Sequence, residues 1–303
     1  MEVVPLGSAD EIAAVAADVC EALVRRKPTA VLGLATGSTP LPTYRLLISR
    51  HDAGTGPSYA AVTCFNLDEY VGLAAGHEQS YRTTIARELI RRHAAGTGPS
   101  YSSVTCFNLD EYVGLPAGHE QSYRATIIRE LTDALGIARE RVNGPDPSPD
   151  RLPTAGERYE ALIEAAGGVD VQLLGIGSDG HLAFNEPGSS LASRTRIKTL
   201  TTQTRKDNAR FFDSPADVPA HVLTQGLGTI LRARHLLLIA TGAGKADAVA
   251  AAVEGPVSAS CPGSALQLHP HVTLLLDPAA AARLERLEHY REVYAAKPSW
   301  QGL

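Results

Sequence analysis

The 303-residue chain is 44% hydrophobic and 20% charged, ordinary values for a globular protein. Its 28 basic and 33 acidic residues leave a formal charge of −5, which gives no general attraction for nucleic acid or acidic lipid, so an anionic ligand must be gripped by a few local groups. The start of the chain lacks the basic-then-apolar pattern of a signal peptide, no run is apolar for long enough to span a bilayer, and Cys20, Cys64, Cys106 and Cys261 match neither a CxxC pair nor a zinc spacing. The expectation is a cytoplasmic protein with reduced thiols, organised as one domain over residues 1–303.

In chain order, residues 9–26 carry Ile12, Val15, Ala16, Val19 and Leu23 at helical spacing. Residues 30–34 read as a buried strand. Thr39-Pro40 reads as a helix cap followed by proline at the first helical position, opening a helix to about Ser49. Further strands are expected at 170–175, 235–240 and 272–276. Continuous apolar strands separated by helices predict an α/β fold, a doubly wound and mostly parallel sheet with helices on both faces.

A tandem duplication interrupts that plan. Residues 50–89 recur at 92–131, and the copies differ only at Asp52/Ala94, Ala60/Ser102, Ala61/Ser103, Ala74/Pro116, Thr83/Ala125 and Ala86/Ile128. Two copies do not make a solenoid. Each reads as a strand (Val62 to Asn66, Val104 to Asn108), a polar turn and a helix from about Glu78 or Glu120. With one regular slot for this unit, the other copy adds a strand, packs outside or stays loosely ordered.

Four segments carry candidate chemistry. LGLATGSTP (32–40) is a small-residue loop between a strand and a helix, whose N–H groups and the hydroxyls of Thr36, Ser38 and Thr39 suit a phosphate; a plain tight turn is the alternative. It lacks the GK[ST] of a nucleotide loop. GIGSDGHLAFNEPGSS (175–190) brings Asp179, His181 and Glu186 within eight residues, and a carboxylate beside a histidine fixes its tautomer and raises its basicity for acid–base work. Capping carboxylates around a loop histidine, or a metal site, are the other readings of that segment. FNLDEYVGL, present twice, ends a strand on Asp68 or Asp110, at the sheet edge where open α/β folds bind ligands. Arg194, Arg196, Lys198, Arg205 and Arg210, with Lys245 in ATGAGKADA, can clamp phosphate oxygens or simply form a charged surface.

Taken together, LGLATGSTP, FNLDEYVGLPAGHEQSY, DGHLAFNEP, SLASRTRIKTL, TRKDNARFF, LTQGLGTIL and AVEGPVSASCPGSALQLHP closely resemble the glucosamine-6-phosphate deaminase family along nearly the whole chain. The resemblance implies a Rossmann-like three-layer fold, a homo-oligomer, and deamination with aldose–ketose isomerisation of glucosamine 6-phosphate to fructose 6-phosphate and ammonia, without metal or organic cofactor. It implies that His181, held by Asp179 and Glu186, opens the sugar ring, and that the DEYVG aspartate moves a proton between C2 and C1. It assigns the phosphate to Thr36, Gly37, Ser38, Thr39, Arg210 and Lys245, and matches Ser189, Arg196 and Lys198 to an allosteric site. The family has one DEYVG segment. Asp110 is preferred over Asp68, because its copy has Pro116 as the family pattern does and runs directly into the expected downstream sequence. The competing readings are a sugar-phosphate lactonase or isomerase of the same fold, a non-catalytic sugar-phosphate sensor, and an enzyme impaired by its duplication.

Overall fold

The computed structural model describes residues 1–34, 39–58, 62–66, 106–108, 111–112, 142–143, 152–202, 220–298 and 301–302. Strands are β1 (Glu2–Pro5), β2 (Val31–Leu34), β3 (Thr63–Asn66), β4 (Cys106–Asn108), β5 (Glu111–Tyr112), β6 (Val142–Asn143), β7 (Val171–Leu174), β8 (Arg196–Thr199), β9 (His221–Thr224), β10 (His235–Ala240) and β11 (Val272–Leu276). Helices are α1 (Ala9–Arg26), α2 (Leu41–Asp52), α3 (Leu152–Ala165), α4 (Leu227–Ile230), α5 (Ala246–Val253) and α6 (Leu287–Ala295).

Eight strands form one sheet in the order β1-β11-β10-β7-β2-β3-β4-β6. All its pairings are parallel. The chain builds outward from β2 through β3, β4 and β6, then returns to β7 on the other side of β2 and builds outward again through β10 and β11. The expected doubly wound α/β sheet is therefore present, and its direction of growth reverses between β2 and β7. The central strands are covered on both faces: every residue of β7, β10 and β11 is buried, as sequences such as HLLLIA and VTLLL require. No helix among the described residues is long and apolar enough to cross a membrane.

Helix α1 spans the expected residues. Ser8 caps it, its Oγ accepting from Glu11 N–H at 3.2 Å, while Glu11 Oε2 accepts from Gly7 N–H at 2.6 Å. Helix α2 begins later than expected. Thr39 does not cap it; Thr39 and Pro40 form a turn, and Pro42 occupies the first helical turn, where a missing N–H costs nothing.

The duplicated strands lie side by side. β3 pairs with β4 in a register that sets Cys64 against Cys106, Phe65 against Phe107 and Asn66 against Asn108, so each residue neighbours its own copy. Of the three fates open to the extra copy, it adds a strand. The helices expected from Glu78 and Glu120 lie outside the described residues.

A second, antiparallel sheet has the order β5-β9-β8. It had no counterpart in the sequence reading, because RIKT in β8 reads as a basic cluster and HVLT in β9 is too short to stand out. Its members matter for the site below.

Two clusters fasten the amino edge of the large sheet. Asp170, 4% exposed, accepts from Val31 N–H at 2.7 Å, through both carboxylate oxygens from Lys27 Nζ at 2.8 and 2.9 Å, and from Arg234 Nη1 at 2.9 Å. It joins the entries to β2, β7 and β10. Near it His235, buried on β10, stacks on His271 at 3.7 Å and shares a 3.0 Å hydrogen bond with Thr273 Oγ1. Burial, with the neighbouring His271, His269 and Lys297, pushes the His235 pKa down to about 3.

Asp170→Ala strands a buried N–H and separates two cations from their partner, an expected loss of about 2–3 kcal/mol in denaturant unfolding; a loss below about 0.5 kcal/mol would contradict the joining role. His235 is held neutral by the fold, with its folded pKa below the free value of 6.5. Its contribution is thus complete above pH 6.5 and declines as pH falls from 6.5 towards 3, by at most about 1.4 kcal/mol per pH unit. His235→Gln, which keeps a partner for Thr273, is expected to flatten the fall of Tm over that window.

Candidate active site

Where a doubly wound sheet reverses, the loops leaving the two central strands diverge and open a crevice at their carboxyl ends. Here those strands are β2 and β7. The loop leaving β2 is ATGSTP, of which Thr39 and Pro40 are described and Thr36, Gly37 and Ser38 are not. The loop leaving β7 is residues 175–190. The topology alone therefore sets the first and second candidate motifs at the same end of adjacent strands.

The β7 loop is closely tied. Gly177 N–H donates to His181 O at 2.9 Å and Gly180 N–H to Gly177 O at 3.0 Å, a reversal that requires the left-handed Gly180 (φ 84°). Gly180 O accepts from Gly263 N–H at 2.7 Å and Ala259 O from Gly188 N–H at 2.8 Å, which lash the loop to the segment between α5 and β11. On the other side Phe184 N–H donates to Thr224 Oγ1 of β9 at 3.3 Å. Ala183 has φ 49°, a left-handed conformation in a residue other than glycine.

This turn brings Asp179 and His181 together. Asp179 Oδ1 accepts from His181 N–H at 3.1 Å and lies 2.6 Å from His181 Nδ1. Asp179 Oδ1 thus lies against both the ring and the main-chain N–H of His181. The imidazole holds the Asp179 carboxyl down to about 2 despite its partial burial, so Asp179 remains ionised at every pH where the protein works. Both side chains are partly open, 34% exposed for His181 and 47% for Asp179, and a ligand can reach them. Gly177 packs flat against the ring: a Cβ there would fall 2.2 Å from His181 Cε1 and 2.3 Å from Nδ1.

Glu186 is buried, and its Oε1 accepts from Thr201 Oγ1 at 3.0 Å and Thr201 N–H at 3.4 Å. The two-carboxylate grip on the imidazole is thus described for Asp179, while the contacts described for Glu186 run to the segment after β8. Lys245 follows β10 in a turn held by Asp277, whose oxygens accept from Gly242 N–H at 3.1 and 2.9 Å. Burial lowers the Lys245 pKa, and the nearby charge of Asp179 partly opposes that. The lysine is therefore in the field of the same carboxylate, half withdrawn from water. Desolvation of this kind strengthens its attraction for an anion.

The remaining candidates separate. Arg196 and Lys198 lie two residues apart on β8 and so face the same side of the small sheet. Arg196 Nη1 donates to Asn185 Oδ1 at 2.8 Å, within the catalytic loop candidate. Ser189 is buried, and its hydroxyl has no partner among the described residues. Asp68, Asp110 and Arg210 lie outside the described residues. Glu111 and Tyr112, directly after Asp110, pair in β5 with Leu223 and Val222 of β9, beside the Thr224 that bonds the β7 loop. Sequence reasoning missed Cys261, whose Sγ would lie 2.6 Å from a Cβ on Gly180 and whose thiol pKa is raised by burial and by Asp179. It also missed Asn185. Neither stands in a spacing that signals a site.

Gly177→Ala is expected to push the imidazole off Asp179. The Asp179 carboxyl should then titrate closer to 3.8, the usual value, and a carbon-detected NMR titration that still finds it near 2 would contradict the packing.

Residues 84–275 match the family model for glucosamine-6-phosphate isomerases and 6-phosphogluconolactonases. The glucosamine-6-phosphate deaminase of Arthrobacter sp. strain FB24 is 54% identical over 303 residues, covering 100% of both chains. That of Mycolicibacterium smegmatis is 51% identical over 304 residues, again with 100% of both chains covered. Among solved structures, a monomeric glucosamine-6-phosphate deaminase superposes with a TM-score of 0.71 at 36% identity, covering 93% of this chain and 100% of that one. A 6-phosphogluconolactonase from Trypanosoma cruzi, at 20% identity and a TM-score of 0.58 over 94% and 97% of the two chains, shares the fold. With 54% identity along the whole of both chains to one such deaminase and a family model matching residues 84–275, this chain belongs to the glucosamine-6-phosphate deaminase family.

Proposed function

We propose that the protein converts glucosamine 6-phosphate to fructose 6-phosphate and ammonia, with His181, Asp179, Glu186 and Asp110 as its catalytic residues. The observation that carries this reading is the imidazole–carboxylate pair of His181 and Asp179, open to a ligand, at the carboxyl edge of β7 with Lys245 in the same field. His181, beside the ionised Asp179, exchanges a proton with the sugar ring oxygen as the ring opens. In the open chain, C2 carries a proton made acidic by the neighbouring carbonyl. A carboxylate takes it from C2 and returns it to C1, which converts the aldose to a ketose level, and the C2 nitrogen leaves as ammonia once water has added. The phosphate, far from these carbons, supplies binding energy that orients them. Thr36, Gly37, Ser38, Thr39, Arg210 and Lys245 are proposed to hold it.

Asp110 is favoured over Asp68 as the proton carrier. The second copy continues into β5, which pairs with β9 next to Thr224, and Thr224 bonds the loop that carries His181. The matched stretch 84–275 also includes the whole of the second copy and leaves most of the first outside. Ser189, Arg196 and Lys198 remain a proposed allosteric site, supported by the shared face of Arg196 and Lys198 on β8. A homo-oligomer in the cytoplasm is the accompanying proposal, to be weighed by solution mass against the relative described as monomeric. The lactonase reading has in its favour a family model that spans both activities and neighbours at 15–20% identity, whose likeness is one of fold, whereas the relatives at about half identity are deaminases.

Ammonia release from glucosamine 6-phosphate tests these assignments. His181→Asn and Asp110→Asn are each expected to lower kcat by about 10²-fold or more, whereas Asp68→Asn keeps a rate close to the parent. Full activity in His181→Asn would remove the catalytic reading, and loss in Asp68→Asn alone would reassign the proton carrier.

A further inference from the structure

We infer that Asn185 and Arg196 form a positioning pair that fixes the loop carrying His181 and Glu186, an inference that rests on the catalytic reading of those two residues. Asn185 is fully buried, at 0% exposure, and stands between them in sequence. Its Nδ2 donates to Leu182 O at 2.9 Å and to Gln225 O at 2.8 Å, and its Oδ1 accepts from Arg196 Nη1 at 2.8 Å. With both N–H groups on carbonyls, the oxygen can face only the guanidinium, so the network determines the orientation of the amide.

Each bond restrains a different motion. The bond to Leu182 O, with the main-chain bond from Asn185 N–H to the same oxygen at 3.1 Å, closes the turn around Ala183. That turn holds a left-handed alanine, a conformation less favourable than the right-handed one for a residue with a Cβ, so it persists only while its ends are held. The bond to Gln225 O fixes it to the end of β9. The bond from Arg196 fixes it to β8 through a charged donor, and charge-assisted bonds of this kind are about twice as strong as neutral ones.

Arg196 has a firm base. It also donates to Arg194 O at 3.3 Å. Arg194 is paired with Glu160 of α3, which accepts in addition from Thr195 N–H and from the hydroxyls of Thr195 and Thr229. Burial lowers the Arg196 pKa, so its cation is partly desolvated and its bond to the amide gains strength. A shift of Arg196 therefore passes through one side chain to residue 185 and, by the peptide bond, to Glu186. The arginine works in the unliganded enzyme, independently of any effector it binds.

The test compares Arg196→Gln, Arg196→Lys, Asn185→Asp and the double variant Asn185→Asp/Arg196→Gln, with kcat and KM for glucosamine 6-phosphate measured without effector and below each Tm. Arg196→Gln is expected to lower kcat by about tenfold with KM changed by less than about threefold, since misplacing a catalytic group affects the chemical step more than binding. Arg196→Lys, which retains a charged donor, should recover most of that loss. The double variant should be no slower than the worse single one, because both act through one bond. An Arg196→Gln enzyme with parental kcat, a change confined to KM, or losses that multiply in the double variant would overturn the pair. If Asn185→Asp fails to fold, the two Arg196 variants decide alone. His181→Asn, assayed alongside, separates the two failures: its activity would overturn the catalytic reading, whereas its inactivity beside a full-rate Arg196→Gln would overturn only the pair.

Discussion

The reversal of strand order between β2 and β7 is the constraint on which the site depends. In a parallel sheet every strand leaves its loop at the same edge, and helices cover both faces, so the loops of most neighbouring strands are drawn to one side. Only where the winding changes direction do two adjacent loops part. β2 and β7 are far apart in sequence and become neighbours only in the folded sheet, paired through Leu32 with Val171 and Gly33 with Gln172. Their registry sets the carboxyl ends of β2 and β7, from which the small-residue loop and the His181 loop leave, side by side at one edge of the sheet. Lys245 arrives from β10, one strand further on. The amino edge of the same strands is fastened by Asp170, which contacts the start of β2 through Val31 N–H and the region before β10 through Arg234. Stability at one edge and chemistry at the other are thereby separated.

Much of this was legible from local chemistry. HLLLIA and VTLLL can only be strands buried on both faces, and α1 displays its period, cap and capping glutamate in residues 8–26. The pairing of Asp179 with His181 followed from their two-residue spacing around a glycine. What was not legible depends on partners distant in sequence. The small sheet joins β5, β8 and β9, none of which is apolar enough or long enough to stand out. The start of α2 was misjudged because two prolines, Pro40 and Pro42, compete for the same role, and a sequence pattern does not rank them. Glu186 is buried and bonded to Thr201, after β8, a partner distant in sequence that the loop's own pattern does not announce.

The duplication shows how a parallel sheet accommodates an insertion. A repeated strand–loop–helix unit brings its own crossover, so a second copy can take a place beside the first without any strand changing direction. β3 and β4 do this with matched neighbours. The two copies are nonetheless no longer equivalent. β3 lies against β2, next to the reversal, whereas β4 lies one strand further out, with β6 beyond it. Yet it is the outer copy that continues into β5 and joins the small sheet. Strand position alone would favour the first copy as the supplier of a catalytic carboxylate; the connection onward from the strand favours the second. β5 pairs with β9, the strand that bonds the His181 loop, so the second copy is tied to that loop through described residues.

Charge is managed locally throughout. A chain with a net charge of −5 has no long-range attraction for a sugar phosphate, and the most exposed charge of the site, Asp179, is itself negative. An anionic substrate must therefore approach against a carboxylate that never loses its charge. Two features offset this. The imidazole lies against Asp179, so a protonated ring neutralises that carboxylate, and Lys245 faces the same carboxylate from the β10 side, held partly out of water. Burial weakens the lysine's hold on its proton, and the nearby carboxylate opposes that in part. The negative charge of Asp179 is thus opposed locally, by the imidazole against it and by a partly desolvated lysine in its field.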